Sequence, residues 1–348
     1  MGLTDDWLAT TREEILEPDL PICDPHHHLW DSGMAASANF RKEQVEPRYL
    51  LDELLADLGS GHNVVSTVFI ECASMYRQDG PVELRPVGET EFVNGVAAMS
   101  ASGLYGPTRV AAAIIGFADL RLGDGVAAVL EAHITAGGGR FRGIRHAASW
   151  DPSPDVRNSH TNPPEHLLAD TTFRAGFARL APLNMSFEGW CYHRQIPEMT
   201  ALARAFPDTT IILNHFGGPL GIGPYAGKRE ENLPQWKRDI AELATCQNVV
   251  AKLGGVNMRT NGFDWDKRPT APGSEELAAA TRVYYDYCIE QFGPDRCLFE
   301  SNYPVDKVSC SYHVLWNAFK RIASGCSAAE KAQLFHDTAA RVYRIEAA

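Results

Sequence analysis

The sequence predicts a single (β/α)₈ barrel, the TIM-barrel arrangement, on three observations. Eight short apolar or β-branched runs recur along the 348 residues, and an amphipathic stretch follows each. The runs lack polar alternation, as strands of a parallel sheet covered on both faces do. Alternating β and α units allow an open doubly wound sheet or a closed barrel, and eight units over this length favour the barrel. No GxGxxG follows any run, which counts against a Rossmann-type sheet. One domain is expected over residues 1–348, with the barrel core at 20–345.

In chain order, LPICD (20–24) leads to RYLLDELLADL, whose apolar residues recur at three- and four-residue spacing after Pro47. NVVSTVFIE (63–71) precedes GETEFVNGVAAMSA, with acids in its first turn, and TRVAAAIIG (108–116) precedes GDGVAAVLEAHITA. FRGIRHA (141–147), LNMSFEG (183–189) and TTIILNH (209–215) are followed by RAGFARLAP, PEMTALARAF and WKRDIAELATC. NVVAKLGG (248–255) and RCLFESN (296–302) lead into SEELAAATRVYYDYCIEQF and VLWNAFKRIA. Segments 31–47, 148–172 and 217–235 are rich in Gly, Pro, Asn and charge. In a barrel they follow strand C-termini and form the mouth and its lid.

With 44 acidic and 32 basic residues the formal charge is −12, which argues against a nucleic-acid or anionic-membrane surface. A small anionic substrate held by a few arginines remains compatible. The eight cysteines form no CxxC pair, and several lie in apolar runs where Cys acts as a small hydrophobe. The N-terminus lacks an apolar signal core, and no run of 18 apolar residues exists. A cytoplasmic protein with reduced thiols is expected. Tyr284, Tyr285 and the Trp-containing late helix face either the barrel or a second subunit of a homo-oligomer.

Ionisable residues collect at the C-terminal ends of the runs: Asp24-Pro25-His26-His27-His28, Glu71, Arg145-His146, Glu188 with His193 beyond it, Asn214-His215, Lys252, and Glu300 with Asn302. Strand three offers only Asp119. Such groups are costly to bury unless they pair, bind a metal or face a polar cleft. His26 and His28, at i and i+2 of an extended segment, project to one face, and His27 points away toward Trp30. Two neutral imidazoles so placed suit Zn²⁺ or a similar ion, and His215 is the third candidate ligand. Arg145, Arg77 and Arg194 all follow strand ends, where a planar guanidinium suits bidentate capture of a substrate carboxylate. Their bland alternative is a salt bridge at a loop base. Lys252 is placed to polarise a carbonyl or bind a carboxylate.

DPHHHLWD, GIRH, NHFGGP, VVAKLGG and FESNYPVD together resemble the amidohydrolase superfamily, over Ile22 to about Val342. Within it the chain is similar to the "amidohydrolase 2" branch, which includes sugar-acid lactonases, pyrone-dicarboxylate lactonase and sulfomuconolactone hydrolase. The resemblance implies that His26, His28 and His215 are metal ligands or catalytic residues and that Arg145 lies on the substrate side. It also implies a divalent cofactor, Zn²⁺ or Mn²⁺, although some lactonases of this branch work without one. Family members end strand eight in S-D-W/Y-P, whereas this chain has Ser301-Asn302-Tyr303-Pro304. An amide cannot take a proton at neutral pH. The base has therefore moved, or a metal-bound water needs none. Glu300 shares the face of Asn302 one layer deeper, Glu188 and Glu71 are either mouth carboxylates or salt-bridge partners of Arg145 and Lys252, and Asp306 lies beyond the strand.

The resulting expectation is a lactonase-like hydrolase acting on a small carboxylated substrate. His26, His28, His215, Asn302, Glu188 and Lys252 carry the chemistry; Arg145, His146, Glu71, Tyr76, Arg77, His193 and Arg194 orient the substrate. A decarboxylase or hydratase on the same barrel is the rival reading, and an inactive binding protein the second.

Overall fold

The computed structural model describes residues 3–31 and 46–346. Eight parallel strands pair in sequence order: β1 (Ile22–His27), β2 (Val64–Ile70), β3 (Arg109–Gly116), β4 (Phe141–Arg145), β5 (Ser186–Gly189), β6 (Ile211–Leu213), β7 (Val249–Leu253) and β8 (Cys297–Phe299). One helix follows each strand: α1 (Leu51–Leu58), α2 (Val87–Ala101), α3 (Val126–Ala136), α4 (Thr171–Phe177), α5 (Ile196–Ala205), α6 (Arg229–Ala244), α7 (Ser274–Phe292) and α8 (Tyr312–Ile322). This is the (β/α)₈ barrel, and every apolar run falls on its strand because each is buried on both faces.

The ring closes between β8 and β1. His27 bridges Tyr303 in parallel register, and the His28 amide donates to the Tyr303 carbonyl at 2.8 Å. Asp24 fastens this seam. Its Oδ1 accepts from the amides of His26 (3.3 Å) and Ser301 (3.0 Å), and its Oδ2 accepts from the Tyr312 hydroxyl (2.9 Å).

Outside the ring, aromatic side chains fill the space between strands and helices. Tyr284 packs on Trp236 (5.0 Å), Tyr285 on Phe216 (4.7 Å), and Trp316 on Phe319 (5.2 Å). Tyr284, Tyr285 and Trp316 therefore pack on their own barrel. Inside the ring, the lower lumen is apolar, with Val68, Ala113, Ile212, Val250 and Leu298 in one cluster. A C-terminal helical segment, Ala328–Val342, lies outside the eight repeats, and the cluster continues into its Ala339, Val342 and the following Tyr343, which cap the lumen from below.

Three expectations need correction or restriction. The stretch 217–235 is not all loop, because α6 begins at Arg229 and runs through Pro234. A proline there removes only one intrahelical donor near the helix start, and Trp236, Ile240 and Leu243 anchor the helix to the core. His27 packs against Phe69 (5.9 Å) with Nε2 2.9 Å from Thr67 Oγ1, so His28, not His27, lies on Trp30. Of the proposed lid 31–47, residues 32–45 lie outside the described residues.

Asp24→Ala leaves two backbone amides and a phenol buried without their acceptor. It should lower stability by about 3 kcal/mol or more, read as a drop in denaturation midpoint at unchanged slope. A change below about 1 kcal/mol would show that the seam does not depend on Asp24.

Candidate active site

Strand parity builds the site. Residues i and i+2 share a face, so the lumen position above Val250 is Lys252, above Leu298 is Glu300, above Ser186 is Glu188, and above Gly143 is Arg145. The apolar lower lumen thus gives way to a charged layer at the strand C-termini. On β1, a register shift between Asp24 and His27 spans Pro25, which has no amide to donate. This irregularity re-aims the chain so that His26 and His28 both turn inward, their ring centroids 4.9 Å apart.

Glu300 is the hub. Its Oε2 lies 2.6 Å from His26 Nδ1 and its Oε1 2.6 Å from His215 Nδ1, which ties β8 to the ends of β1 and β6. His28 Nδ1 pairs with the Ile70 carbonyl at 2.8 Å. Burial, reinforced by Lys252, Arg145 and the neighbouring histidines, holds His26, His28 and His215 well below the usual histidine range, so all three are neutral. Burial pushes the Glu300 carboxyl up to about 8 against the opposing pull of Lys252.

Two buried cations flank the hub, each with its own carboxylate. Lys252 Nζ lies 3.0 Å from Glu188 Oε2, donates to the Pro25 carbonyl (2.8 Å), and approaches His26 Nδ1 at 3.4 Å. Arg145 Nε donates to Glu71 Oε1 at 2.7 Å, Nη2 donates to the Glu71 carbonyl, and Nη1 lies 3.2 Å from His26 Nε2. Glu188 and Glu71 are thus both ion-paired rather than free mouth carboxylates. Nearby His160 and Arg145 hold the Glu71 carboxyl well below the usual range against the opposing effect of burial.

The structure brings together His26, His28, His215, Glu188, Lys252, Arg145 and Glu71, with Asn302 and Tyr76 at their edge. Asn302 is buried in the left-handed region (φ 56°), and its amide donates to Asp306 Oδ1 at 2.9 Å. The Tyr76 hydroxyl is buried and bonds to nothing among the described residues. Four other candidates lie apart. His146, next to Arg145 but of opposite parity, packs between Phe117 (5.2 Å) and Phe173 (5.3 Å). Arg77 pairs with Glu91 on the surface, and exposed Arg194 donates to the Tyr225 hydroxyl at 3.1 Å. His193 accepts from the Leu220 amide (3.3 Å) and packs on Tyr225 (5.3 Å).

Sequence reasoning missed several members. His160, in the loop after β4, places Nε2 3.3 Å from Glu71 Oε2, and a histidine in a long mouth loop was the available signal. Trp190 packs on His215 (4.9 Å) and Trp30 on His28 (6.0 Å). Both tryptophans line a cavity of about 450 Å³ with Tyr192, Asn158, Ser159 and Pro304.

One ligand atom from each of His26, His215 and Glu300 lies within 4.8 Å of the others, and among the described residues this is the trio so placed. Two neutral imidazoles and a carboxylate are a donor set that suits a divalent ion such as Zn²⁺, so these residues fit a metal. Glu300 joins His26 and His215 in this cluster, and His28, with its Nδ1 on the Ile70 carbonyl at 2.8 Å, keeps its Nε2 beside them. Arg145, 3.2 Å from His26 Nε2, competes for one imidazole lone pair.

The fold and the polar layer at its strand C-termini define an α/β barrel with its candidate site at the mouth. The amidohydrolase family profile matches residues 23–345, and the chain belongs to that family. It is 34% identical to the uncharacterized protein y4mH of Sinorhizobium fredii, over 94% of this chain and 99% of that one. It is 28% identical to an L-fucono-1,5-lactonase of Burkholderia multivorans, over 67% of this chain and 72% of the relative. A Burkholderia multivorans amidohydrolase solved with bound zinc superposes at TM-score 0.70 and 24% identity, covering 93% of this chain and 99% of that one.

The titrations imply a stability maximum. His26, His28 and His215, with His62, His133, His146 and His193 (each lowered to about 4), favour folding above 6.5 and lose that contribution as pH falls. Glu89, Glu300 and Asp306, each raised to about 8 chiefly by burial, favour folding at acid pH and lose that contribution as pH rises toward 8. Chelator-treated protein should therefore melt highest near about pH 6.5 and lower on both sides. A melting temperature still climbing at about pH 9 would contradict the raised carboxyls.

Proposed function

We propose that the protein is a lactonase that opens a polyhydroxylated sugar-acid lactone by water attack, with a divalent ion, zinc by donor set, held by His26, His215 and Glu300. The observation that carries the reading is this buried trio, flanked by Lys252 and Arg145 beneath a tryptophan-walled cavity. The L-fucono-1,5-lactonase and L-rhamnono-gamma-lactonase among its relatives, and the zinc-bound structural neighbour, support it.

When bound, a divalent ion polarises a carbonyl and lowers the pKa of water to about 7. The chain's own residues supply the rest. Lys252 is 0% exposed and Arg145 7%, so Arg145 reaches the substrate while Lys252 sets the field beneath it. Together they stabilise the oxyanion that develops on the carbonyl oxygen. The attacking water must lose a proton. Glu71 and Glu188 are ion-paired, and Asn302 is an amide. His28 is neutral, and with its Nδ1 proton on the Ile70 carbonyl its Nε2 lone pair is available. His28 accepts the water proton as the carbon–oxygen bond forms, then returns it to the ring oxygen as the acyl–oxygen bond breaks, leaving a hydroxy acid. Trp30 and Trp190 offer flat faces to the sugar ring, and Asn158 and Ser159 offer partners for its hydroxyls.

Purified protein should carry about one zinc per chain by mass spectrometry and release acid from a panel of sugar-acid 1,4- and 1,5-lactones, with activity lost on chelation. His215→Ala and Glu300→Gln should lose the metal. His28→Gln should keep it while kcat falls about 10²-fold or more. Metal loss from His28→Gln would move His28 into the ligand set, full activity without metal would refute the metal reading, and inactivity on every lactone would refute the substrate class. Lys252→Met should cost about 10²-fold in kcat, and a change under about threefold would remove it from the mechanism.

A further inference from the structure

The C-terminal cap of the barrel reaches the catalytic layer through one side chain. Arg142 Nε donates to the Tyr343 carbonyl at 2.8 Å and fixes the residue beneath the lumen. The Tyr343 ring is buried, and its hydroxyl extends upward to donate to Glu188 Oε1. Glu188 Oε2 takes the Asn214 amide and the Lys252 ammonium, the latter at 3.0 Å. The ammonium also lies 5.4 Å from the centre of the Tyr343 ring. Among the described residues, Tyr343 is the hydrogen-bond partner of Glu188 Oε1.

The geometry points to Tyr343 as a positioning residue for the reaction: through Glu188 it fixes where Lys252 stands against His26. The structural reason is a three-step relay. A carboxylate held from below by a phenol and from the side by an amide cannot swing, so the ammonium paired to it is held in one place. Burial and Glu188 push the Tyr343 phenol well above its ordinary value, so it remains a donor. A lumen cap needs only apolar bulk, which Val342 and Ala339 already provide, so the hydroxyl is surplus to packing.

The inference rests on the hydrolytic reading only for its kinetic arm, and the test separates the two. Tyr343→Phe keeps the ring and removes the hydroxyl. Its kcat should fall about tenfold with KM within about threefold, the size of effect that removing an outer-shell partner has. Independently of any substrate, the ¹⁵N-edited NMR signal of the Lys252 ammonium, assigned by its loss in Lys252→Met, should shift or exchange faster with water. Val342→Ala, which loosens the same cap, should leave both readouts unchanged. Glu188→Gln should produce the same NMR change, and adding Tyr343→Phe to it should produce no more.

An unmoved Lys252 signal in Tyr343→Phe overturns the inference, and so does a Val342→Ala variant that reproduces its effects. If Tyr343→Phe does not fold, Glu188→Gln decides: an unmoved signal there also overturns it. Should the wild type open no lactone, the substrate reading fails, and the Lys252 signal alone decides this one.

Discussion

Glu300 is the constraint on which the site depends. A carboxyl in a barrel lumen is costly to bury, and each oxygen of this one has an imidazole nitrogen 2.6 Å away. That single group fixes the rings of His26 and His215 relative to one another, although they stand 189 positions apart in the chain. Its surroundings are shaped to admit it. A Cβ at Gly254 would overlap Glu300, and one at Gly255, where φ is +67°, would overlap the His215 ring. The β7 turn therefore carries two glycines for space and for conformation. Asp24 plays a similar part at the seam, where it meets amides from both closing strands.

Charge in the lumen is arranged in pairs, which explains how so many ionisable groups are buried together. Lys252 faces Glu188 and Arg145 faces Glu71, and each pair is completed by hydrogen bonds to backbone or neutral side chains. Glu300 is left without a cation of its own, with Lys252 no closer than 3.9 Å. A carboxyl in that position, beside neutral imidazoles, is where a dication would complete the balance. The backbone is strained at the same place: His215, Phe216 and Asn302 all hold left-handed conformations that cost about 1–3 kcal/mol each. Strain concentrated beside a charged centre is the pattern of a site whose geometry matters more than its stability.

Much of this was legible in the sequence, and the reason is parity. Parallel strands buried on both faces read as apolar runs, so all eight could be placed, and counting i, i+2 from their ends put His26 beside His28 and Glu300 one layer below Asn302. The same rule sends His146 outward, away from Arg145, so grouping it with the site neglected the alternation. Parity says nothing about loops or about residues that arrive from outside the repeat. His160 reaches Glu71 from a long loop, and Tyr343 comes up from the C-terminal cap, so neither followed from strand pattern. Arg77 and Arg194 follow strand ends as expected, but each meets a surface partner first. Pro234 reads as a helix breaker and is carried inside α6, because tertiary packing of Trp236 and Ile240 outweighs one lost donor.

The departure at position 302 has a local electrostatic explanation. Asp306 is fully buried four residues on, with Asn302 Nδ2 donating to it at 2.9 Å, and burial has already pushed its carboxyl up to about 8. An aspartate at 302 would set two buried carboxylates against each other at hydrogen-bond distance, and one would have to hold a proton. An amide removes that conflict and supplies the donor that Asp306 needs. The carboxyl that strand eight gives up at 302 is present two residues earlier, at Glu300, on the same face and within reach of His26 and His215. Strand eight thus keeps a carboxyl at the centre of the site, moved one layer down, and the amide at 302 is what allows Asp306 to remain beside it.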